Sequence, residues 1–489
     1  MHFWPLTSFE PSSPHGLRRH LWTAILGILL AFAPGLPAQA DDLPGDLQAA
    51  LGRANIPEEH IGVVVQDLAN GVTEVAFGGH HAFNPASVMK LLTTLVALDT
   101  LGPGHTFKTQ VLVDGTVNNG VLHGNLVLRG GGDPALNVER FWLLLRAIQA
   151  RGIRVIDGDV VFDDSYYAVD LDDPGEFDAA PLKPYNAAPV ALLVNYNAVA
   201  LHLRPANGGV EARLDPPGLT VDNRLAADPD AACDAWQDRL DMSRDGDTLV
   251  LSGAYPVACA DQSTWLNLMC PPATAAAYFN DLWRELGGRH AGQVRLGETP
   301  ESARPLLEFE SPPLAEIVRG INKFSNNVMA KMLYLDLGAI RLGGAATWEK
   351  SDRAVRDWLA EKGLAMPELV LENGSGLSRI ERISAGSMAR LLVWAAGQPI
   401  YYEFAASLPA LGEEGTQQRR MRGEPEAGRA WLKSGTLNGA RNLAGYILDA
   451  AGHRKVVVLF INHPGVTRAD LIQAAVLRHA INALPPALP

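Results

Sequence analysis

Three cysteines among 489 residues are too few for a disulfide scaffold, so a packed core must hold the chain together. No HExxH pair and no zinc-like Cys/His spacing occurs, and neither a metal nor a cofactor is expected. Positive charge is also short: 41 Lys and Arg face 54 Asp and Glu, for a net charge of -13. Without a basic stripe interleaved with aromatics, nucleic acid is not an expected partner. No GxSxG surrounds any serine, which argues against an α/β-hydrolase elbow and its histidine triad. No repeat at solenoid periods is visible.

Long apolar runs are scarce as well. The stretch from Leu21 to Ala33 falls short of the ~20 residues that a membrane-spanning helix needs. Arg18, Arg19 and His20 precede it and "PGLPAQADD", with small residues at Ala38 and Ala40, follows. This is the layout of a secretory signal over residues 1–40, cut after Ala40; an uncleaved anchor is the alternative. An exported chain can form disulfides, and Cys233 and Cys259 flank the hairpin-like "TLVLSGAYPVAC" and could bridge, leaving Cys270 odd.

What is plentiful is apolar surface, 47% of residues, enough for a large core and more than one domain. "HIGVVVQDLANGVTEVAFGG" alternates about Asn70-Gly71 and predicts two antiparallel strands. From Ser87 the apolar residues take a helical period as far as Gly102. Between residues 107 and 272 the texture becomes short strands such as "FKTQVLV", "GNLVLRG" and "VALHLRP" separated by turns, which predicts a β-rich insert. Its "RGGGDPALN" lacks the lysine of a phosphate loop and reads as a turn cluster. Helical texture then returns, and the tail "GRAWLKSGTLNGARNLAGYILDAAGHRKVVVLFINHP" gives three strands. Strands at both ends with helices between predict an α/β domain over residues 41–106 and 273–489, its sheet joining the two ends.

The chemistry begins at "NPASVMKLL", where Ser87 stands three residues before Lys90. That spacing puts both on one helix face. A serine hydroxyl is a weak nucleophile until a base takes its proton, and a lysine serves only if held neutral, by apolar burial or by a nearby positive charge. Ser-x-x-Lys alone is a common pair and a weak signal. Two further patterns strengthen it: "KFSNNVMAK" sets Ser325 two before Asn327, and "WLKSGTL" gives Lys433, Ser434, Gly435 and Thr436 in succession.

These three motifs in this order resemble the penicillin-binding proteins and serine β-lactamases. Within them the chain most resembles the D-alanyl-D-alanine carboxypeptidases of the penicillin-binding protein 4 type. "NPASVMKLLTT", "LRGGGDPAL", "NGSGLSR", "LAGY" and the long insert between the first two motifs carry the likeness. Two departures stand out: Ser434 where threonine is common, and Asn373 where aspartate is usual.

The resemblance implies a β-lactamase/transpeptidase-like fold, an antiparallel sheet flanked by helices, with the β-rich insert between the first and second motifs. It implies that Ser87 attacks a D-alanyl-D-alanine bond and is acylated, with Lys90 as base and Lys433 as the second positive charge. Ser325 would relay a proton to the leaving amine, and Asn327 would orient Lys90 and hold the substrate backbone. Gly435 would admit a substrate strand, and Ser434 and Thr436 would bind its terminal carboxylate, with Ser87 and Thr436 N–H groups as the oxyanion hole. Peptidoglycan peptides are then the substrates, for carboxypeptidase and also endopeptidase cleavage, β-lactams are covalent inhibitors, and the location is the periplasm or cell envelope. The alternatives are a serine β-lactamase and a non-catalytic wall-binding protein. Rapid repeated turnover of a chromogenic cephalosporin would indicate the first, and no penicillin adduct on the Ser87 peptide the second.

Overall fold

In the tail, "KVVVLFI" is apolar at every position but one, the pattern of a strand covered on both faces. The computed structural model describes residues 43–171, 173–206 and 208–482, and there Arg454–Ile461 is the central strand of a five-stranded antiparallel sheet. Its neighbours are Ile61–Asp67, then Thr73–Phe77, on one side and Ala440–Leu448, then Ala430–Leu437, on the other. The sheet thus joins the two ends of the chain, as expected from the sequence. The signal read over residues 1–40 lies outside the described residues.

Successive side chains in a strand face opposite ways. Val457, Leu459 and Ile461 accordingly enter one core, with Ile61, Val63 and Val65 and the helices Gly45–Ala54 and Ala469–Asn482. Val456, Val458 and Phe460 enter the other, with Val64, Ala444 and Tyr446. On that second face lie the helices Lys90–Leu101, Leu314–Phe324, Asn327–Leu342 and Ala385–Ala396. Every residue of the first of these from Lys90 to Leu98 is buried, as befits a helix that is apolar on nearly all sides. It stops at Gly102, which has φ 83°.

The insert is built on a long hairpin, Lys108–Asn118 with Val121–Arg129. Val160–Asp163 pairs parallel to its second strand and Arg304–Glu310 antiparallel to its first. Two helices cover this sheet, Val138–Ala150 and Pro271–Glu285, through Phe141, Leu144, Leu145, Phe279 and Trp283. The insert is therefore not purely β. The first helix begins at Asn137, whose side chain accepts from Arg140 N–H at 3.0 Å, a start signal hidden among strand-like neighbours. The sequence boundary at 272 also falls too early: the helix from Pro271 and the strand to Glu310 complete the insert's own core and sheet edge. The described residues nonetheless form one compact unit.

A second part of the insert holds a three-stranded and a four-stranded sheet. There Leu240–Asp245 and Thr248–Pro256 form a hairpin, and Cys233 and Cys259 on either side of it are disulfide-bonded, leaving Cys270 as an exposed thiol.

Leu95 is fully buried in the Lys90 helix, and Leu95→Ala should lower unfolding stability by ~2–5 kcal/mol. Val117→Ala, on an exposed part of the insert hairpin, should change it by less than ~0.5 kcal/mol. Urea unfolding of the two variants checks the contrast.

Candidate active site

Ser87 sits in a 3-10 turn, Ala86–Met89, immediately before the Lys90 helix. The turn is shaped by Asn84, whose Oδ1 accepts from Ala86 N–H at 2.9 Å, and Ala86 takes φ 47°. A non-glycine residue at positive φ costs of order 1–3 kcal/mol and persists only where its surroundings impose it. Here they do: the Asn84 carbonyl accepts from Asn442 Nδ2 at 2.9 Å and from Asn462 Nδ2 at 3.1 Å, which tie the turn to two strands of the sheet.

Lys90 is completely buried. Its Nζ lies 3.1 Å from Ser87 Oγ, donates to Asn327 Oδ1 at 2.6 Å and donates to the Ser375 carbonyl in a short contact. Both carbonyls can only accept. A neutral amine has two N–H bonds, which these carbonyls take, and its lone pair is left toward the Ser87 hydroxyl. Burial pushes the Lys90 amine well below its ordinary value, and the Lys433 charge adds to this, as does Lys331 more weakly. Glu381 acts in the opposite sense.

The second motif forms where a helix breaks. "LAEIVRGINKFSNNVMAKMLYLDLGAI" has helical texture throughout, yet Ser325 adopts a left-handed conformation, φ 57°, at the end of Leu314–Phe324. Asn326 then caps the next helix, accepting from Met329 N–H at 3.1 Å, and Asn327 is its first residue. This break aims the Ser325 hydroxyl at Lys433 and the Asn327 amide at Lys90. Asn327 Nδ2 donates to the Tyr185 carbonyl of the insert at 3.1 Å. The amide is thus engaged at both ends, and its visible work is to orient Lys90.

From the sheet, Lys433 is fully buried, and its Nζ donates to Ser325 Oγ at 2.8 Å and to the Ser434 carbonyl at 2.9 Å. Burial brings its amine down to about 7. Gly435 is two residues on and on the same face. A Cβ there would lie 2.4 Å from the Pro85 carbonyl oxygen and 3.1 Å from Ser87 N. The bare strand therefore seats the Ser87 turn itself. Ser434 and Thr436 take the alternate positions; Ser434 Oγ lies 3.3 Å from Thr416 Oγ1, and Thr436 is exposed.

So the structure forms two contact sets, Ser87 with Lys90 and Asn327, and Ser325 with Lys433, and the Lys433 strand packs on the Ser87 turn at Gly435. Residues 372–378, noted in the sequence for "NGSGLSR" and Asn373 but given no role there, form a fourth wall. Gly376, at φ 78°, has its Cβ space filled by the Ala86 carbonyl and Ser87 N, and Ser375 supplies the carbonyl for Lys90. Asn373 fits where aspartate is usual: its Oδ1 accepts from Ser375 N and Oγ, and its Nδ2 donates to the Leu377 carbonyl at 3.0 Å. A carboxylate could not make the last bond. The conspicuous glycines of "NGSGLSR" were the available signal.

The sequence pattern of the D-Ala-D-Ala carboxypeptidase 3 (S13) family matches residues 43–481. The chain belongs to that family. A curated relative, the D-alanyl-D-alanine carboxypeptidase of Actinomadura sp. (strain R39), is 30% identical over 476 residues, covering 93% of this chain and 88% of the relative. Among solved structures, penicillin-binding protein 4 (dacB) of Haemophilus influenzae matches with TM-score 0.75 and 23% identity, over 89% of this chain and 99% of that one. Its complex with a β-lactam matches with TM-score 0.70 and 24% identity, over 88% and 98%. The protein is a serine-type D-Ala-D-Ala carboxypeptidase with the fold of penicillin-binding protein 4.

Gly435→Ala should push the Ser87 turn away from the strand. D-alanine release from a D-Ala-D-Ala peptide is expected to fall about 100-fold, the cost of a small misplacement of reacting groups, with unfolding stability lowered by only ~1–3 kcal/mol, so that the protein stays folded in the assay.

Proposed function

We propose that Ser87 is the nucleophile and Lys90 the general base of this carboxypeptidase. The observation that carries the reading is the buried Lys90 amine, 3.1 Å from Ser87 Oγ with two carbonyls taking its N–H bonds. Burial removes solvent that would stabilise the ammonium, so the base is unprotonated at a pH where a surface lysine would be charged.

Ser87 Oγ attacks the carbonyl carbon of the penultimate D-alanine as its proton passes to Lys90 Nζ. The carbonyl oxygen becomes an oxyanion held by the Ser87 and Thr436 N–H groups, an interaction whose loss typically costs ~3–4 kcal/mol. The C–N bond then breaks, the amine takes a proton through Ser325 Oγ, which Lys433 contacts, and D-alanine leaves. Water hydrolyses the remaining ester with Lys90 again as base. In this reading the hydroxyls of Ser434 and Thr436 hydrogen-bond the terminal carboxylate of the substrate, and the nearby Lys433 supplies charge. A β-lactam follows the same course as far as the ester, but its leaving group stays tethered.

Peptidoglycan stem peptides are the natural substrates, and cross-links ending in the same D-alanyl bond fit the same site. Digestion of cross-linked and uncross-linked muropeptides, read by product mass, apportions the two activities. Action in the cell envelope agrees with the Cys233–Cys259 disulfide, a bond of oxidising compartments. Among the described residues no helix is long and apolar enough to cross a membrane.

After penicillin exposure, intact mass should show one adduct on the protein, carried by the Ser87 peptide, and none on Ser87→Ala. An adduct persisting in that variant would move the nucleophile elsewhere. Lys433→Met removes a charge that holds the Lys90 amine down, so the acid limb of the acylation rate should move to higher pH. Stopped-flow acylation across pH 5 to 9 checks the sign.

A further inference from the structure

One buried carboxylate lies under the site and has no part in the steps above. Glu381 is 0% exposed, an unusual state for a glutamate unless it is paired or hydrogen-bonded. Its Oε1 gathers three backbone N–H groups, from Glu372 at 3.2 Å, Asn373 at 3.1 Å and Gly374 at 2.9 Å. Its Oε2 is equally buried and has no hydrogen-bond partner. The segment so gathered leads directly into Ser375, whose carbonyl accepts from Lys90 Nζ, and Gly376, which lies against Ser87 N. The carboxylate is therefore one peptide unit removed from the group that holds the base.

We infer that Glu381 is a positioning residue: its carboxylate folds the Glu372–Ser375 backbone so that the Ser375 carbonyl meets Lys90, and its negative charge, held beneath the site by that backbone, makes the amine readier to take a proton. The inference rests on the reading of Lys90 as base.

The charges around the two groups are few. Lys90 faces Lys433, Lys331 and Glu381. Glu381 faces Glu372 and, from the Asn327 helix, Tyr334, whose hydroxyl is buried without a hydrogen-bond partner. Burial lifts the Glu381 carboxyl above its ordinary range, and the three N–H groups pull it back. Three donors on one oxygen favour the ionised form. Lys433 and Lys331 both disfavour a proton on Lys90. A single carboxylate offsets part of that, and keeps the Lys90 amine basic enough to take the serine proton.

The test separates charge from shape in the whole protein. Glu381→Gln keeps an oxygen for the three N–H groups and removes the charge; Glu381→Asp keeps the charge and draws the oxygen away. The readout is the second-order rate of acylation by a fluorescent penicillin against pH. Loss of a negative charge lowers the Lys90 amine further, so the acid limb of Glu381→Gln should move to lower pH by roughly one unit. Glu381→Asp should keep the wild-type limb with a rate lower by about 10-fold at every pH. If Glu381→Gln only scales the rate and leaves the limb in place, Glu381 is neutral and merely structural, and the inference is overturned. Should that variant fail to unfold cooperatively, Glu381→Asn read against Glu381→Asp, which has the same side-chain length, decides: a limb at lower pH in the Asn variant supports the inference and coincident limbs contradict it. Absence of label on Ser87 in the unmutated protein would overturn the underlying reading, and is distinct from a limb that fails to move.

Discussion

The site depends on keeping one amine out of water. Lys90 begins a helix whose next residues are all buried, so no side of its stem is solvated. Removing water disfavours the ammonium, whereas the carbonyls of Asn327 and Ser375 remain good acceptors for a neutral amine. Everything else at the site is arranged around that atom. The Ser87 turn is held in a strained conformation by Asn84, the Ser325 break turns a hydroxyl to Lys433, and two glycines let strand and loop close on the turn.

Two non-glycine residues at positive φ, Ala86 and Ser325, stand at the points where chain direction must change to bring the motifs together. Such strain is tolerable because neighbours hold both: the Asn84 amide accepts from Ala86 N–H, and Lys433 donates to Ser325 Oγ. The fold is thus a rigid frame that fixes five side chains from three distant segments. The insert contributes as well, because the Tyr185 carbonyl takes the free end of the Asn327 amide.

Much of this was legible in the residues. The two-ended sheet followed from apolar runs at both ends of the chain, and the three motifs named the side chains of both contact sets. What escaped notice did so for physical reasons. The helix break at Ser325 leaves no mark in apolar periodicity, since the residues on both sides keep a helical pattern. The Val138–Ala150 helix is short and lies among strands, and the insert ends at Glu310 because a late strand returns to pair with an early one, a non-local choice that local texture does not record. Ser375 acts through its backbone carbonyl, and Gly435 through absence of a side chain, so residue type alone did not reveal either role.

If the base is the Lys90 amine, burial must hold it well below an ordinary lysine, and its own titration is the test. Protein carrying 13C at lysine Cε can be followed by NMR across pH 6 to 11, with the Lys90 signal assigned from a Lys90→Arg variant. The account expects a midpoint well below the ~10.4 of an exposed lysine, with the amine largely neutral where the enzyme acylates. A Lys90 midpoint at or above that ordinary value would contradict it, for the serine would then have no base within reach.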